Sequence, residues 1–193
     1  IVCSLVGSEM CIRDSPYVYQ ENTQGLVRGL IFSFGIIIVV IGVTLRSVRF
    51  GLISVVPNVV PFLLAYGVLS IFTKVVTFSH TVAILIAIGL VVDATIHFLT
   101  KFKKANSMNL SPYDAIQYCY KYVGYPIIVA SVCLFSGFLF LIQSSFQTNY
   151  VLGGMCALII LLALIIDLLL LPSLLLIFGL SLIHISEPTR LHT

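Results

Sequence analysis

Asp93 and His97 stand four residues apart in the run Val82 to Leu99 (VAILIAIGLVVDATIHFL), which holds no other ionisable side chain. Four residues is about one helical turn, so carboxylate and imidazole would share a face, with Gly89 one further turn along it. The chemistry these types could do in such a setting is proton exchange. A carboxyl group in hydrocarbon that loads a proton on one side and releases it on the other couples a gradient to transport, and a histidine is a natural relay partner. An ionisable group within a membrane span is costly unless it faces a polar interior, so Asp93 is expected to be shielded inside a bundle. It lies about six residues, or about 9 Å, from the nearer end of the apolar run, too deep for its short stem to reach the interface. The plainer reading makes Asp93 a packing group, hydrogen-bonded to Ser or Thr of a neighbouring helix, and His97 a boundary histidine near Lys101.

A second acid, Asp167, interrupts the run LIILLALIIDLLLLP five residues before Pro172. It is either a further member of the relay or a carboxyl bonded to nearby backbone or loop donors. Ser131 and Ser136 are candidate donors to either acid. In VPNVVPFLL, Pro57 and Pro61 flank Asn58, and each proline removes a backbone donor and frees a carbonyl. A bend there would serve as a hinge for alternating access, although prolines near the start of a span are also tolerated without movement. Gly137, Gly153 and Gly154 are expected where helices pack closely.

These residues need elements to hold them, and the composition says which. Apolar residues make up 60% of the 193 and charged residues 9%, against about 45–50% and about 25% in soluble domains. With a mean hydropathy of +1.15, this is an integral membrane protein with an all-α, polytopic helix bundle. Five apolar segments have spanning length: about residues 26–45, 52–72, 82–99, 123–142 and 150–178, the last bending or ending near Pro172. In the connection from Lys101 to Lys121, Ser111 and Pro112 read as N-cap and first turn of a short amphipathic helix. Ala115, Ile116, Cys119 and Tyr120 would form its apolar face, the helix either lying on the cytoplasmic surface or serving as an ordinary connector packed on the bundle.

Charge sets the expected orientation. Arg46, Arg49, Lys101, Lys103, Lys104 and Lys121 lie in the connections after the first and third spans, whereas Arg28 and Lys74 lie on the other side. The positive-inside rule makes the first group cytoplasmic, so the first span starts outside. The polar YVYQENTQ before it then reads as the tail of an external domain. The net charge of +3 includes no basic tract, which argues against nucleic acid as a partner. Cys119, Cys133 and Cys156 form no CxxC pair or Cys/His cluster, so neither a disulfide framework nor a metal site is expected.

Both ends carry a separate signal. Leu5 to Ser15 (LVGSEMCIRDS) and Leu180 to Arg190 (LSLIHISEPTR) read as one sequencing-library adapter translated on opposite strands. Residues 1–15 and 180–193 are accordingly expected to be adapter-derived, with residues 16–179 as the transmembrane part, and such segments are kept out of fold reasoning.

Four motifs in order, RSVRFGLISVVPNVVP, IAIGLVVDATIHFLTKFKK, SGFLFLIQSSF and DLLLLPSLL, together resemble the second transmembrane half of an exporter of the resistance, nodulation and division (RND) superfamily, in its MMPL-like branch. The likeness covers essentially all of residues 16–179. It implies a proton-driven exporter of lipids or other hydrophobic compounds, not an enzyme, which draws on a proton gradient and needs no cofactor. It implies two six-helix repeats, the five spans here being helices two to six of the second. The implied partners are membrane lipids, the hydrophobic substrate and the N-terminal repeat of the same chain, with a homo-oligomer left open, in a bacterial inner membrane. The family's acid in the helix matching residues 82–99 places the relay on Asp93, where many relatives have two adjacent acids and this chain has Ala94. A sterol-sensing-like regulatory domain that binds lipid without pumping shares the five-helix pattern and is the alternative. An intramembrane aspartyl protease is disfavoured because Leu90, Val91 and Val92 precede Asp93 in place of Gly-x-Gly.

Overall fold

A computed structural model describes residues 24–25, 28–72 and 77–185, apart from the side chains of residues 48, 49, 72 and 178–185. The adapter-like stretch 1–15, residues 186–193, Lys74 and most of the polar stretch before the first span lie outside the described residues. The chain divides into two units, Ile1–Ile36 and Ile37–Thr193. In the first, the described residues are helical and open helix α1 (Arg28–Thr44). The second holds the remainder of α1 and every later element.

Those elements are α2 (Val48–Phe72), α3 (Phe78–Ser107), α4 (Pro112–Cys119), a π-helical segment (Tyr120–Gly124), α5 (Tyr125–Leu141) and α6 (Gln147–Ile185). Among the described residues four helical stretches are long and apolar enough to cross a membrane: Phe50–Ile71, Phe78–Ser107, Pro112–Leu141 and Gln147–Ile177; α1 is a shorter apolar helix. The membrane helix bundle expected from composition is therefore present.

The structure decides two details that the sequence left open. The connector helix α4 starts where Ser111 and Pro112 place it, the Ser111 hydroxyl accepting from the Asp114 amide at 3.2 Å. Of its two readings the packed connector holds, and α4 continues through the π segment into α5. The wide turns fall just before Pro126, which has no N–H for the carbonyl of Tyr122. Ala115, Ile116 and Cys119 of α4 are buried with Ile41, Phe98, Leu99, Phe102, Leu171 and Leu175 in the main core, which is why the connector stays against the bundle. Likewise α6 does not end at Pro172 but runs on helically to Ile185.

Helix α6 is central to the second unit, packing against α2, α3, α4 and α5. Gly153 makes its crossing with α5 possible, since a Cβ there would lie 2.6 Å from Leu141 Cβ and 2.7 Å from the Phe138 carbonyl. The close packing expected of glycine holds at Gly153, but Gly137 and Gly154 have no such neighbours. The turn from α1 to α2 is tight, with Arg46 in the left-handed region at φ 46°. Lys103 near the end of α3 donates to the carbonyl of Leu45 at the end of α1, a cation placed on a helix C-terminus. That contact puts the two Lys/Arg-rich connections on the same side, as the charge pattern requires.

Candidate polar site between the spans

The rotational phase of α3 decides which of its polar residues meet which neighbours. Its apolar residues recur at Ile84, Ala87, Ile88, Val91, Val92, Phe98, Leu99 and Phe102, and all of these are buried. Thr95 falls in that stripe. Asp93 lies about 200° around the helix from Thr95 and so faces the opposite way.

On the buried face Thr95 is 0% exposed, and its hydroxyl donates to Oδ1 of Asp167 on α6 at 3.0 Å. Asn58 Oδ1 on α2 stands 3.4 Å from the same hydroxyl. A threonine has one O–H proton to give, and the shorter contact directs it to the acid. The orientation of Asn58 follows from its other end, where Nδ2 donates to the Ser54 carbonyl at 2.7 Å. Ser54, Asn58, Thr95 and Asp167 are all buried, so three helices are joined by one polar cluster. Pro57 and Pro61 are buried beside Asn58 and α2 remains helical through both.

On the open face of α3, Gly89, Asp93, His97 and Thr100 form an exposed stripe. Asp93 Oδ1 lies 3.4 Å from His97 Nε2, the one-turn pairing that the spacing predicts, with side-chain exposures of 74% and 64%. The shielding of Asp93 by its own chain, expected from sequence, is not what the fold provides. The reason is the phase of α3: the apolar stripe and Thr95 claim the core face and turn Asp93 and His97 outward. Among the described residues nothing lies within 4 Å of a Cβ placed on Gly89, so none of their backbone uses the approach that glycine leaves open.

The sequence therefore locates both acids, but the shielding expected for Asp93 is found at Asp167, which is 2% exposed. The donor also lies in a different helix from the one expected. Ser136 donates to the carbonyls of Val132 and Cys133 in its own helix, and the donor to Asp167 is Thr95. The signal was available in the helical wheel, because Thr95 is a polar residue in the middle of the apolar stripe of α3, between Val91 and Phe98. A further residue at the site is Tyr120 of the π segment, whose hydroxyl donates to the carbonyl of Leu168, next to Asp167.

Chemically, the arrangement offers an acid–imidazole pair able to exchange a proton on one face of a spanning helix, and a buried acid held by a hydroxyl on the other. Among the described residues no group of His, Cys, Asp and Glu is placed to hold a metal ion. Compared with known proteins, residues 3–193 match the model of the MMPL family. No curated protein matches the chain.

Proposed function

The chain belongs to the MMPL family, whose members are membrane transporters of hydrophobic compounds and not enzymes, and we propose that it forms part of a proton-driven exporter of lipids or similar apolar molecules. The observation that carries this reading is the Asp93–His97 pair, held at 3.4 Å on a helix long and apolar enough to span a membrane. A carboxylate and an imidazole one turn apart can pass a proton between them, and an intramembrane ionisable residue is a functional candidate by default. Their exposed face, with Gly89 beside them, is where another transmembrane repeat of the same protein would dock and exclude lipid. Asp167, enclosed on the far side of α3, is the second carboxyl group of the machine.

Alternating access would then move α2, α3 and α6 relative to that other repeat, with Pro57 and Pro61 as the hinge of α2. Energy comes from the proton gradient without a cofactor, in a bacterial inner membrane, with membrane lipids and the hydrophobic substrate as partners. The test is Asp93→Asn in the complete reading frame, reconstituted in liposomes with an imposed pH gradient. Gradient-driven export is lost while the protein inserts and folds as before, because the amide keeps the shape and cannot carry a proton. Export at the unsubstituted rate would remove Asp93 from the relay.

A further inference from the structure

Pro172 lies inside α6 and has no N–H, so the carbonyl of Leu168, four residues earlier, lacks the backbone donor that a continuous helix would give it. In a membrane interior such a freed carbonyl must be satisfied by a neighbour. The neighbour is Tyr120, whose hydroxyl donates to that carbonyl from the π segment. The same side chain stands edge-on to Phe98 of α3, with ring centroids 5.8 Å apart at 79°. Cys119, the preceding residue, directs its thiol at the Phe98 carbonyl at 3.9 Å. One short stretch of the connector thus touches α3 beside His97 and α6 beside Asp167.

We propose that Tyr120 is a positioning residue for Asp167: its hydroxyl takes the place of the donor that Pro172 lacks and fixes, from the connector, the turn of α6 that carries the acid. The wide π turns have a purpose in this arrangement, since they occupy the position from which Tyr120 reaches α6 while Val123 and Ile127 stay buried. The proposal rests on Asp167 being a coupling group only for its consequence in transport. The hydrogen bond itself stands or falls independently.

A double-mutant cycle on the complete protein tests it. Tyr120→Phe keeps the ring against Phe98 and removes only the oxygen; Pro172→Ala returns a backbone N–H to Leu168. In the otherwise unchanged protein, Tyr120→Phe lowers the folded-to-unfolded ratio about tenfold, the upper range for an interhelical hydrogen bond within a membrane. It also lowers transport per folded molecule severalfold. In the Pro172→Ala background the same substitution changes both by less than about twofold, because the helix now supplies the donor. Equal losses in both backgrounds, or no loss in the first, overturn the proposal. If Asp167→Asn transports normally, the coupling role of Asp167 falls, and the unfolding cycle still decides whether Tyr120 replaces the missing donor.

Discussion

Thr95 Oγ1 donates to Asp167 Oδ1 across 3.0 Å, and it does so from the face of α3 opposite Asp93. One helix therefore serves both acids, holding one in the bundle and presenting the other outward. The strength of that bond is bounded by the surroundings. Interhelical hydrogen bonds in membranes average about 0.6 kcal/mol and reach about 1–2 kcal/mol, because chains unfolded within the bilayer also find partners.

Thr95→Val keeps the branched shape and removes the hydroxyl. Unfolding in detergent is expected to become easier by about 0.5–2 kcal/mol, whereas Thr95→Ser, which retains the donor, stays closer to the parent. Combining Thr95→Val with Asp167→Leu, which leaves no acceptor, should give less than the sum of the two single losses, because both remove the same bond. Strict additivity of the two in thermal or denaturant unfolding would mean that the contact carries no energy.

Gly153 and Gly154 separate space from flexibility. Gly153→Val must displace Leu141 or the backbone at Phe138, and overpacking of this kind costs about 1–3 kcal/mol. Gly154→Ala meets nothing within 4 Å and gains helix propensity, so it is expected to be neutral or mildly stabilising. Melting temperatures of the two variants in the same detergent check the contrast.

Ser111→Ala removes the N-cap of α4. The expected loss is about 1 kcal/mol, confined to the first turn of the connector. Hydrogen exchange of the amides from Asp114 to Ile116 should speed up, while those of α6 stay as protected as before. Faster exchange throughout the bundle would show that the cap supports far more than its own turn.

The fold was largely legible in the sequence because membrane spans announce themselves by length and apolarity, and the backbone in lipid has few alternatives to the helix. Ser111 and Pro112 marked a helix start by local hydrogen-bonding and φ preference, which need no tertiary partner. The continuity of α4 with α5 was less visible, since Lys121, Tyr118 and Tyr122 look like a polar connector when read singly. The persistence of α6 past Pro172 was hidden for a related reason. A proline leaves the carbonyl four residues earlier without its backbone donor, and the hydroxyl that meets it here, on Tyr120, lies 48 positions away in sequence.

By itself the sequence determined that this protein is a helical membrane bundle, that two acids lie within its spans, and that Asp93 and His97 share a helical face. Those are properties of composition and of the 3.6-residue period. Which acid is enclosed was decided only by the tertiary structure, because burial depends on how α3 is rotated against α2 and α6. That rotation is chosen by the summed packing of Val91, Val92, Phe98 and Leu99 together with the Thr95–Asp167 bond. No local pattern around either aspartate contains that sum.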